Sequence, residues 1–119
     1  GGFRQAMAAP ASMPEFKGNV TAVLTENYWD PELKELAAKW EEIRAQSRKL
    51  NRDKNLTKAQ RKVALDQFTA ETMTPRELEI YRAGTSNAAY HYLGSAKMMA
   101  QIGKAFAEAL VATTKTVNQ

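Results

Sequence analysis

Apolar residues recur at helical spacing through the middle of the chain. Leu33, Leu36, Ala37, Trp40, Ile43 and Leu50 share one stripe with Ser47, which predicts an amphipathic helix. Asp30 suits its N-cap and Pro31 its first turn, and Glu32 and Glu35 favour the positive end of the helix dipole. After a polar turn over 51–55, Thr57-Lys58-Ala59-Gln60 reads as a capping box opening a second helix, with Ala59, Val63, Ala64 and Phe68 as its apolar face. Thr74-Pro75-Arg76-Glu77 is another, opening a short helix that carries Leu78 and Tyr81 and ends at Gly84. A last helix is predicted from about Ser95 to Thr113, its stripe being Met99, Ile102, Phe106, Ala109 and Leu110, followed by a polar tail. Gly103 interrupts it at a cost of roughly 1 kcal/mol relative to Ala. This predicts that another backbone, that of Val20–Leu24, passes close by.

The pattern before Asp30 is different. Phe3 to Ala9 suits the end of a helix, Pro10 and Pro14 break it, and Lys17-Gly18-Asn19 reads as a turn. Val20 to Thr25 is β-branched and apolar on both faces, which predicts a strand buried in a parallel sheet. The expected fold class is therefore mainly α, about four helices plus one strand. One strand cannot satisfy its own backbone groups, so the remainder of its sheet is expected outside this chain.

Composition narrows the chemistry. The 119 residues include no cysteine, which excludes a disulfide, a thiolate nucleophile or a Cys-based zinc site. No apolar run reaches the ~20 residues that span a bilayer. The opening Gly1-Gly2-Phe3-Arg4 lacks an initiator Met, and a processing or fragment boundary is expected there. Net charge is a mild +4, yet eight Lys or Arg lie between Arg44 and Lys62 against one acid, Asp53. That cluster reads either as a phosphate-binding patch or, the favoured reading, as the solvated tip of a helical hairpin. No aromatic residue interleaves with the charges, which disfavours single-strand nucleic-acid binding.

One histidine remains, His91, in Asn87-Ala88-Ala89-Tyr90-His91-Tyr92-Leu93-Gly94-Ser95-Ala96-Lys97. Imidazole is the side chain best suited to moving a proton near neutral pH. His91 lacks the company a metal ligand needs: no second His, no Cys, and no carboxylates at ligand spacing. It reads as a buried structural histidine or as a general base. Ser86, Ser95 and Tyr90 are near in sequence, but no Gly-x-Ser-x-Gly elbow surrounds either serine, and Ser95 reads better as an N-cap. Tyr28-Trp29 follows the expected strand at its carboxyl end, where open α/β sheets bind ligands. The pair reads equally as a sugar-lining element or as a core cap.

The order of Gly18-Asn19-Val20-Thr21-Ala22-Val23, Tyr28-Trp29-Asp30, Tyr90-His91-Tyr92-Leu93-Gly94-Ser95-Ala96 and Ile102-Gly103-Lys104-Ala105-Phe106-Ala107 resembles the C-terminal end of the sialate O-acetylesterase-like carbohydrate esterases, members of the SGNH hydrolase superfamily. The match covers about residues 15–30 and 85–112. The resemblance implies the C-terminal fragment of a three-layer α/β/α fold: 1–30 the end of a helix and the last core strand, 31–84 a helical insertion, and 85–119 the catalytic-His loop and closing helix. It implies that His91 is the general base of a serine esterase acting on acetylated carbohydrate. Tyr28, Trp29, Tyr90 and Tyr92 would line the substrate. The nucleophile would come from the N-terminal part of the esterase domain.

The family usually carries an aspartate three residues before this histidine, where this chain has Ala88. The orienting acid then falls to Glu26 or Asp30, or the site works as a Ser–His dyad, or the protein is an inactive relative that binds glycans. No cofactor and no metal are expected, the lack of an apolar span predicts no membrane partner, and the resemblance implies an extracytoplasmic location. A small basic helical interaction module is the competing class.

Overall fold

The computed structural model describes residues 2–117, and the regular structure among them is entirely helical. The chain divides into two compact units, Asp30–Ala96 and a second formed by Gly1–Trp29 with Lys97–Gln119.

The Asp30–Ala96 unit is built on three helices: α2 (Pro31–Arg52), α3 (Lys58–Thr72) and α4 (Pro75–Gly84). Each begins at a side-chain cap that satisfies an otherwise orphaned backbone donor. Asp30 accepts from the Leu33 N–H at 3.1 Å. Thr57 and Gln60 cap reciprocally, as do Thr74 and Glu77. Leu36 and Ile43 of α2 bury against Met73 at the end of α3. Trp40, Leu65, Phe68, Leu78, Ile80 and Tyr81 pack around them half-buried. The rings of Trp40 and Tyr81 lie 5.4 Å apart and tilted, joining α2 to α4. On α3 the buried face centres on Leu65 and Phe68, while Val63, expected in the core, is 66% exposed.

Gly84 ends α4 without the left-handed conformation expected of a C-capping glycine. Its role is close approach: a Cβ there would sit 2.7 Å from the Leu33 Cδ2. Lys39 of α2 reaches Glu77 of α4 at 2.5 Å, tying the two helices at their partly exposed edge.

The other unit holds α1 (Gly2–Ala8), three short 3-10 turns (Ala9–Ser12, Pro14–Phe16 and Thr25–Tyr28) and α5 (Ala96–Val117), which starts at the unit boundary. The expected strand is not one. No strand exists among the described residues, so neither the α-plus-one-strand class nor the implied three-layer α/β/α fold describes them. The physical reason is pairing. Residues 20–24 are irregular, and among the described residues Thr21, Ala22 and Val23 have no hydrogen-bond partner that could form a ladder. Tyr28 therefore closes a 3-10 turn instead of following a sheet, and the ligand-site argument from a strand's carboxyl end loses its basis.

α5 is also set differently from its predicted stripe. Met98, Ile102 and Ala105 are buried, whereas Met99, Phe106 and Leu110 are exposed. It runs to Val117, past the expected end at Thr113; residues 118–119 of the expected tail lie outside the described residues. Among the described residues nothing outside its own helix turn lies within 4 Å of a Cβ built on Gly103, so the expected close approach of Val20–Leu24 is not made there. Phe106 joins Phe3, Met7 and Leu24 around an apolar groove of about 460 Å³, beside an ion pair between Arg4 and Glu26.

The Glu77 carboxylate is held down to about 2, first by the Lys39 ammonium bonded to it, then by the Thr74 backbone N–H and hydroxyl. A carboxylate depressed in the folded state contributes stability above its unfolded value, near 4.5, and loses it as pH falls towards 2. Thermal melts followed by helical circular dichroism should therefore decline through that window. Glu77→Gln should flatten the decline and lower the melting temperature at neutral pH. An equal acid response in both proteins would contradict this assignment.

Candidate functional site

The segment after α4 is a loop closed by its own backbone. Ser86 and Asn87 both donate their N–H groups to the Leu93 carbonyl, at 2.8 and 2.9 Å. The Ser86 hydroxyl donates to the Gly94 carbonyl at 2.9 Å. Inside this clamp the Ala88 carbonyl accepts from the His91 and Leu93 N–H groups at 3.0 and 3.1 Å. The Asn87 Oδ1 accepts the Ala88 N–H at 2.7 Å, fixing the entry to the turn.

Three consecutive residues then adopt positive φ: Tyr92 at 52°, Leu93 at 56° and Gly94 at 62°. Left-handed backbone costs a non-glycine residue roughly 1–2 kcal/mol, so Tyr92 and Leu93 are strained and the clamp must hold them. Leu93 is 3% exposed and anchors the turn. Gly94 is required, because a Cβ there would fall 2.2 Å from the Ser86 Oγ and 2.9 Å from the Asn87 N.

The clamp presents its outer residues to solvent. His91 is exposed and Tyr90 is 80% exposed, with their rings 4.3 Å apart. His91 is thus not the buried structural histidine that one sequence reading allowed. Among the described residues no side chain hydrogen-bonds either nitrogen of its ring. Tyr92 is half-buried within the same turn.

The remaining expected site residues are placed as follows. Asp30 is buried and its Oδ1 is engaged as the α2 cap. Glu26 is ion-paired with Arg4, and Tyr28 and Trp29 are half-buried; all three belong to the other compact unit. Within the loop the structure brings together His91, Tyr90 and Tyr92. Of the four serines, Ser12 donates to the Ala9 carbonyl, Ser47 lies on α2, Ser86 locks the loop and Ser95 is buried before α5. None of them bonds His91. Among the described residues no cluster of His, Asp and Glu is suited to hold a metal, and no described helix is long and apolar enough to cross a membrane.

A cavity of about 420 Å³ lies behind the loop, between α2 and α4. Trp40 and Tyr81 line it with Arg44, Arg82, Ser86 and Asn87. Helical periodicity assigns Trp40 a core role only. Arg44 appeared there only as part of the basic run, and no periodicity marks Arg82 as its neighbour across the helix pair.

Scanned against protein-family models, curated proteins and solved structures, the chain matches none.

Gly94→Ala should break the clamp. The clash with Ser86 and the left-handed backbone together predict a loss of about 1–3 kcal/mol in unfolding free energy. In heteronuclear NMR spectra the Ser86 and Asn87 amides should lose their protection from exchange. Unchanged protection in a stably folded Gly94→Ala protein would show that the clamp does not depend on Gly94.

Proposed function

We propose that His91 is the general base of a serine-type carbohydrate O-acetylesterase, with this chain forming the C-terminal part of the catalytic domain and the seryl nucleophile supplied by residues outside it. The observation that supports this reading is the strained, doubly clamped loop over Ser86–Gly94. Strain of this kind persists only where the surroundings over-determine it, and it concentrates at functional sites. Here it holds an exposed imidazole to which no side chain among the described residues hydrogen-bonds. The resemblance of the Tyr90–Ala96 segment and of the Ile102–Ala107 helix to these esterases supplies the reaction class.

The chemistry follows from those groups. The imidazole of His91 takes the proton from the seryl hydroxyl as its oxygen attacks the acetyl carbonyl carbon. The tetrahedral intermediate collapses, the bond from the acetyl carbon to the sugar oxygen breaks, and His91 returns the proton to that oxygen. Water then attacks the acetyl-enzyme, giving its proton to His91. Acetate leaves as the serine oxygen recovers the proton. Tyr90, beside the imidazole, offers an aromatic face on which the sugar ring can rest.

Ala88 supports a second reading, a relative that binds acetylated glycans without hydrolysing them. No carboxylate stands at that position to orient the imidazole.

The test is acetate release from acetylated oligosaccharide by the protein that carries this chain together with its nucleophile-bearing part. His91→Ala should lower the rate by about 10²–10⁴-fold with little change in fold. Wild-type turnover by His91→Ala would overturn the assignment of the base. Glycan binding without acetate release would select the second reading.

A further inference from the structure

We infer that α5 pairs antiparallel with the α5 of a second copy of this chain, across the exposed stripe of Met99, Gly103, Phe106 and Leu110. The pairing is independent of the role proposed for His91, which lies in the other compact unit.

α5 is apolar on two faces. One, carrying Met98, Ile102 and Ala105, is buried. Met99, Gly103, Phe106 and Leu110 form an adjacent stripe and are all exposed, Phe106 by 52% and Leu110 by 66%. Their spacing alternates between four and three residues, the repeat that holds one seam against a partner helix. A helix apolar over most of its circumference belongs in an interior. The charged residues Lys97, Lys104 and Glu108 share the remaining edge, where Lys104 pairs with Glu108 at 3.5 Å. No charge stands in the stripe, so covering it buries none.

The stripe is self-complementary. Glycine is a poor residue for a helix interior, yet Gly103 is exposed, with open space where a Cβ would stand. It leaves a notch. Phe106, the largest side chain of the stripe, lies one turn further on. In an antiparallel pair centred between the two positions, each Phe106 ring fills the notch at the Gly103 of the other copy, and each Met99 meets a Leu110. A second copy supplies ring and notch in reciprocal order, as an isologous interface requires.

The area suffices for a stable dimer. Phe106 also borders the apolar groove formed by Phe3, Met7 and Leu24 of the same unit. Phe3 is 79% exposed and Met7 68%. With Met99 and Leu110 these residues expose on the order of 800 Å² per copy, the share each partner gives to a standard interface.

The test is sedimentation equilibrium of the protein that carries this chain, over roughly 1 to 100 µM. The expected result is a reversible monomer–dimer equilibrium, with a melting temperature that rises with protein concentration. Leu110→Glu puts a charge into the seam and should leave the protein monomeric. Gly103→Gln is the sharper variant, because it fills the notch with a better helix former. Its helical circular dichroism should hold or rise, and its melting temperature at the lowest concentration should not fall. Its dimer dissociation constant should nevertheless increase about tenfold or more. His91→Ala should dimerise as wild type, so this inference and the esterase reading fail separately. A monomer at every concentration would overturn the inference, leaving the stripe to another surface or another partner. A dimer that neither Gly103→Gln nor Leu110→Glu weakens would overturn it equally.

Discussion

The carbonyl of Leu93 holds the candidate site together. It accepts two N–H groups from the start of the loop while its own residue sits in left-handed backbone with its side chain buried. Three features depend on that closure: the positive φ values at Tyr92 and Leu93, the absence of a side chain at Gly94, and the outward placement of Tyr90 and His91. Any one of them alone would be a local irregularity. Together they make a mount whose strain is offset by hydrogen bonds and by the buried Leu93.

The helical core behind the loop provides the rigid support. α2 and α4 are joined by the Trp40–Tyr81 contact and by the Lys39–Glu77 pair, and Leu33 fills the space over Gly84 one residue before the loop begins. A base acts efficiently only when its geometry is fixed relative to the group it deprotonates. The same pair of helices brings Arg44 and Arg82 to one cavity behind the loop.

Much of the helical unit was legible in the sequence because its signals are local. Asp30, Thr57 and Thr74 mark three helix starts through hydrogen bonds spanning three residues. What depended on distant partners was not legible. Val20–Leu24 has the composition of a strand, but composition cannot supply a ladder, and the described residues provide none. The stripe of α5 was misplaced because Met98 and Met99 are equally apolar, and periodicity alone does not choose between adjacent stripes. The loop was found through its histidine; its left-handed geometry was hidden, since Tyr and Leu rarely adopt positive φ and only Gly94 hinted at it. Burial of Asp30 in a cap and the pairing of Glu26 with Arg4 could not be read from spacing either.

The claim that the loop exists to activate a serine is tested most directly by phosphonate labelling followed by intact-mass and peptide analysis of the protein that carries this chain. Such reagents modify a seryl oxygen only when a base has made it nucleophilic. The account predicts one phosphonyl group on a serine other than Ser12, Ser47, Ser86 or Ser95, and its loss in His91→Ala. Labelling of equal extent with and without His91, or labelling confined to one of those four serines, would contradict it.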